Sequence, residues 1–133
     1  MLLIVGGVTP VALLVVAACL PPNPNGLGTH QALGLPPCSL RVLAGIRCPS
    51  CGMTTSWAHM TRGHVLSAFA SNSGGALLAV AAAVGGPWAA ISGLRGRWLG
   101  GAPNEWTLAA ISLGIMAVTL VDWGCRLWME FGS

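Results

Sequence analysis

The chain has 133 residues, 54% of them hydrophobic and only 7% charged, and so lacks the polar surface that a soluble domain of this length needs. Its net charge of +3 comes from six arginines and three acids, with no lysine, too few and too scattered for a nucleic-acid footprint. With Glu105, Asp122 and Glu130 as the only acids, a paired-carboxylate site, a soluble catalytic triad and a phosphate-cradling loop are also absent from the pattern.

No residue from Leu2 to Leu20 is charged. At about 1.5 Å per residue this stretch is long enough for a hydrocarbon core of about 30 Å. Pro10 is expected to kink this first span without breaking it, because Thr9 or a neighbouring helix can satisfy a freed carbonyl. Val16-Ala17-Ala18-Cys19 also looks like the lipobox of a lipoprotein signal, but no Lys or Arg precedes the apolar run as a signal peptide requires. Cys19, like Cys125 near the end of the third span, reads as a small apolar side chain.

Residues 21–37 contain five prolines with Asn and Gly between them, which marks them as loop. Beyond it come Cys38 and then Cys48-Pro49-Ser50-Cys51-Gly52, the constellation in this chain best suited to chemistry. Two short amphipathic helices are expected next, Met53 to Met60 and Val65 to Ala70, each preceded by a chain break and a polar residue. Both are too short to cross a bilayer, and an interfacial position suits them, with Trp57, Met60, Leu66 and Phe69 turned towards lipid or the spans.

The second span is expected over about 74–94. Gly75, Ala79 and Ala83 repeat in it at four-residue spacing, as do Ala82, Gly86 and Ala90, faces on which another helix can approach closely. A short turn carrying Arg95 and Arg97 leads to the third span, about 106–128, where Asp122 and Arg126 stand four residues apart and form a candidate interfacial ion pair. Trp98, Trp106, Trp123 and Trp128 mark the depth of the two interfaces.

The fold class read from this pattern is an all-α membrane protein, a single domain over 1–133. Three transmembrane helices carry a cysteine loop and short interfacial helices, 21–73, between the first and the second. Arginines near the span ends are almost evenly divided. Their concentration in the short 95–97 turn places that turn in the cytoplasm and the cysteine loop and C-terminus outside.

Cys38, Gly45-Ile46-Arg47-Cys48-Pro49-Ser50-Cys51-Gly52-Met53-Thr54, Arg62-Gly63-His64, Ala68 and Asn72 together resemble the pattern of the DUF2752 family of small bacterial membrane proteins. That pattern runs from a first Cys through a Gly-Ile/Leu-x-Cys-Pro-x-Cys-Gly-Met/Leu-Thr core and a Gly-Asp pair to an Asn-Pro before the second span. His64 stands here where the family usually has Asp, and Ser73 where it usually has Pro. The resemblance implies a bacterial multi-pass protein with its cysteine loop outside, and no established activity.

Three explanations of the thiols stay open on sequence grounds. Cys48 and Cys51 form a redox pair with Cys38 as resolving partner and a quinone as acceptor. Alternatively, Cys38, Cys48 and Cys51 bind zinc with His59 or His64 as fourth ligand. In the favoured reading the cysteines form a structural disulfide or pack a tight turn, and the protein is a non-catalytic accessory or assembly subunit. Its partners are then the lipid bilayer and other membrane subunits, met along Gly75, Ala79 and Ala83. Haem attachment is disfavoured, because Gly52 and not His follows Cys51.

Overall fold

The computed structural model describes residues 1–132. The chain folds into α1 (Leu2–Cys19), a 3₁₀ turn (Thr29–Leu33), α2 (Ser39–Ala44), α3 (Met53–Met60), α4 (Val65–Ser71), α5 (Ser73–Leu94) and α6 (Glu105–Phe131), with no strand among the described residues. Helices α1, α5 and α6 are each long and apolar enough to cross a membrane, and the protein is a multi-pass membrane protein. The short helices lie between the first and second spans in the chain. The 3₁₀ turn and α2 are additions to the sequence expectation, both closed by a glycine at positive φ, Gly34 and Gly45.

Helices α1 and α5 cross antiparallel along a seam of glycines. A methyl group on Gly7 would lie 2.5 Å from the Gly86 carbonyl oxygen, and one on Gly86 would lie 2.7 Å from Val11 Cγ2. One on Gly93 would meet Ile4 Cγ1 at 2.7 Å. Without side chains in the way, the two backbones approach closely enough for dispersion to hold them together, since lipid offers no hydrophobic drive between helices. Pro10 and Pro87 both sit inside helices that continue through them, and the Thr9 hydroxyl donates to the Val5 carbonyl at 2.7 Å.

The small residues of α5 are therefore used within the chain. Ala82 and Gly86 are buried on the α1 side. A methyl group on Gly75 would touch Met53 and Ser56 of α3, and Ala79 is fully buried, whereas Ala83 is exposed. Helix α3 is packed against α1, α4, α5 and the 3₁₀ turn and does not lie freely along an interface. Its Thr55, Ser56 and Ala58 are among the most buried residues of the chain, together with Ala68 and Ala76. The core thus sits at the end of the α1–α5 pair, beneath the cysteine segment.

Helix α6 is attached differently. None of the residues in its apolar window is buried, and it is fastened near its C-terminal half by polar contacts. Asp122 Oδ2 accepts from Arg126 Nε at 2.9 Å and from the Ser73 backbone N–H at 3.3 Å, while Arg126 Nη2 donates to the Phe69 carbonyl at 3.3 Å. The pair therefore fastens α6 to the α4–α5 junction. Trp123 Nε1 donates to the Arg47 carbonyl, and the Arg47 guanidinium is paired with Glu130, so Trp123 is a structural tie and not simply a depth marker.

A methyl group at Gly7 is expected to force α1 off α5, lowering stability by about 1–3 kcal/mol. At Gly6, where nothing lies within 4 Å, the same methyl should be neutral or stabilising by up to about 1 kcal/mol. Thermal unfolding of Gly7→Ala and Gly6→Ala in detergent compares the two; equal behaviour would dismiss the seam.

Candidate functional site

The site begins with a tight turn. Cys48-Pro49-Ser50-Cys51 closes with the Cys51 N–H donating to the Cys48 carbonyl at 3.0 Å, and Pro49 supplies the fixed φ that the second position of such a turn favours. Gly52 follows at φ +85 and starts α3. A side chain there would be strained, and its Cβ would lie 2.7 Å from both the Gly26 and Ser71 carbonyl oxygens, so glycine is required on two counts.

Asn72 anchors this turn to the second span. It is 3% exposed. Its Oδ1 accepts from the Gly75 N–H at 2.7 Å, capping α5, while its Nδ2 donates to the Pro49 and Cys51 carbonyls at 3.0 and 3.2 Å. Its backbone carbonyl accepts from Ser56 Oγ at 3.1 Å. One buried side chain thereby fixes the cysteine turn, the start of α5 and the face of α3.

The proline-rich segment is held from the other side. Thr29 and Thr55 hydroxyls, both buried, share a hydrogen bond of 2.6 Å, and Thr29 Oγ1 also accepts from the Asn23 N–H at 3.0 Å. Arg62 at the end of α3 donates to the Ala58 and Ala18 carbonyls, at 2.9 and 3.0 Å, joining α3 to the end of α1.

On this frame three sulfurs converge. Cys38 Sγ, at the start of α2, and Cys48 and Cys51 Sγ lie within 4.8 Å of one another, and the Cys48–Cys51 sulfur pair is 3.0 Å apart. All three residues are half-buried and carry free thiols. They open onto a cavity of about 320 Å³ also lined by His30, Gln31, Arg41 and Ser50. His59 and His64 do not join them. Their ring centroids are 5.9 Å apart, tilted by 50°, at the far end of α3, and His59 is held below the usual imidazole range by burial and by the nearby His64 and Arg62.

The thiols are electrically unlike. Cys38 is lowered from its ordinary 9.0 to about 7, chiefly by hydrogen bonding from the Cys48 thiol and also by the Arg41 backbone N–H. Cys51 is pushed up to about 12, first by burial and then by Cys48. A thiolate that receives hydrogen bonds is stabilised, whereas a buried one is penalised. Near neutral pH Cys38 therefore ionises in preference to Cys51.

Sequence reasoning overlooked His30 and Arg41. Neither stands at a spacing that marks a ligand; they reach the cavity because the 3₁₀ turn and α2 fold over the cysteine turn. The faint local signal was glycine on either side of His30, at Gly28 and Gly34, both at positive φ.

The fold and site define a three-span membrane protein with a thiol cluster at one end of its helices. The family model of DUF2752, described as a protein of unknown function, matches residues 38–86, from the first clustered cysteine into the second span. Over this segment the chain is similar to the DUF2752 family. No curated protein and no solved structure matches the chain.

Replacing Asn72 by Ala should cost about 2–4 kcal/mol, the sum of a lost cap and of buried groups left unpaired. Asn72→Asp, which keeps the capping oxygen but loses the donors, should fall between wild type and Asn72→Ala in thermal unfolding. In reduced, metal-free protein, Cys38 should be alkylated before Cys51, with a rate that rises with pH and is half-maximal near 7. Cys51 should stay inert throughout the neutral range. Cys48→Ala should move the Cys38 midpoint up towards 9.0, as read by peptide mapping after iodoacetamide pulses.

Proposed function

We propose that this protein is a small, non-catalytic membrane accessory protein whose Cys38, Cys48 and Cys51 thiolates hold one zinc ion at the membrane boundary. The observation that carries the reading is the convergence of three sulfurs from two separate segments on one cavity. A disulfide uses two sulfurs and leaves the position of Cys38 without a purpose, whereas a metal uses all three. Zinc bonded to sulfur at about 2.3 Å in a tetrahedron sets sulfurs about 3.8 Å apart, a spacing that the mutual limit of 4.8 Å accommodates. Each ligand must be ionised. Cys38 is already inclined to ionise, and the charge of the ion offsets the burial that holds the Cys51 proton in place.

Part of this reading concerns the setting of the site. Arg95 and Arg97 belong to the short turn between α5 and α6, which the charge rule assigns to the cytoplasm. The cysteine cluster and the C-terminus are then outside, in the envelope of a bacterial cell. The exposed length of α6 leaves a helix available to other membrane subunits, and assembly with them is the role that a three-span protein with an intramembrane core of small residues fits best.

A second reading is supported by the 3.0 Å separation of the Cys48 and Cys51 sulfurs. Their oxidation would form one S–S bond and release two electrons and two protons to an acceptor such as a quinone. Cys38, whose thiol is lowered to about 7, would attack that disulfide, forming a new S–S bond with one sulfur of the pair and releasing the other as thiolate.

Full-length protein purified without chelator should carry one zinc per chain. Cys38→Ser, Cys48→Ser and Cys51→Ser should each weaken binding by more than about tenfold, since even outer-shell losses cost about 10–100-fold. Cys19→Ser and Cys125→Ser should leave it unchanged. Protein isolated free of zinc and with a Cys48–Cys51 disulfide would reject the metal reading in favour of the redox one.

A further inference from the structure

We propose that His30 completes the zinc site as its fourth ligand; this rests on the three-thiolate reading above and deepens it. Among the described residues, His30 is the histidine that lines the cavity onto which Cys38, Cys48 and Cys51 open. His59 and His64, the candidates that lie nearer in sequence to the CPSC turn, lie at the opposite end of α3 with ring centroids 5.9 Å apart.

The local structure allows His30 to enter. The imidazole lies outside the 4.8 Å cluster, with Nε2 against the Pro36 carbonyl at 3.3 Å, longer than the 2.9–3.0 Å typical of a well-formed N–H···O bond. That contact is exposed and costs little to exchange. Neighbouring Thr29 is fixed to α3 through Thr55, so the base of the 3₁₀ turn is immobilised while His30 sits on its cavity side. A side-chain rotation that gives up the Pro36 contact would turn a ring nitrogen towards the cavity shared with the sulfurs.

The chemistry is equally specific. Three sulfurs form one face of a tetrahedron and leave its fourth corner towards the cavity, and zinc closes structural sites with four ligands, Cys₃His among its usual sets. Three thiolates, a neutral imidazole and a divalent ion sum to one negative charge. Arg41, on the same cavity wall, offsets it. His30 also sets metal choice, because three thiolates without a nitrogen suit monovalent copper, whereas the added imidazole favours zinc.

X-ray absorption of the full-length, zinc-loaded protein in detergent tests this together with a competitive zinc titration. Wild type should show three sulfurs at about 2.3 Å and one nitrogen at about 2.0–2.1 Å. His30→Ala should lose the histidine scattering and bind zinc more than about tenfold more weakly. His30→Cys should recover the affinity with a four-sulfur shell, which excludes loss of fold as the cause, and His59→Ala should match wild type. Histidine scattering and affinity both unchanged in His30→Ala would overturn the inference while leaving the three-thiolate site standing. Wild-type protein that binds no zinc would overturn both.

Discussion

The structure depends on a single buried amide. Asn72 has almost no contact with solvent, and removing such a group from water is costly unless all its polar atoms are paired. Here they are paired with groups that the helix and turn leave open: the Gly75 N–H in the first turn of α5 and two carbonyls of the cysteine turn. The requirement acts in both directions. The turn satisfies Asn72, and Asn72 holds the turn in the orientation that points two sulfurs at a third.

Around this point the chain is assembled by two kinds of force. In the membrane, α1 and α5 are held by backbone contact along Gly7, Gly86 and Gly93, where any side chain would separate them. At the end of the pair the ties become polar: the shared Thr29–Thr55 bond, the Arg62 link to the end of α1, and the Asp122–Arg126 pair reaching the α4–α5 junction. Helix α6 contributes little to the core but steadies the approach to the cluster, because Trp123 and Glu130 grip Arg47, the residue before Cys48.

These ties give the thiol site an asymmetric stiffness. Cys48 and Cys51 stand on the turn anchored by Asn72 and closed by Gly52. Cys38 and His30 belong to short, glycine-bounded pieces laid over it. The same asymmetry governs the charges, for the anchored Cys51 is partly buried and resists ionisation, while the outlying Cys38 receives hydrogen bonds and ionises readily.

The sequence by itself determined the three spans, the breaks between them and the tight turn at Cys48–Cys51. Those depend on local properties: apolar length against bilayer thickness, proline geometry and glycine at positive φ. The Asp122–Arg126 pair was also legible, because a spacing of four residues places two side chains on one helix face. Tertiary structure alone decided that the small residues of α5 meet α1 and α3 of the same chain, that α3 is buried, and that His30 and not His59 lines the cavity onto which the sulfurs open. Each of those outcomes depends on how one helix is rotated against another and on long-range hydrogen bonds such as those of Asn72. Spacing along the chain carries no record of either.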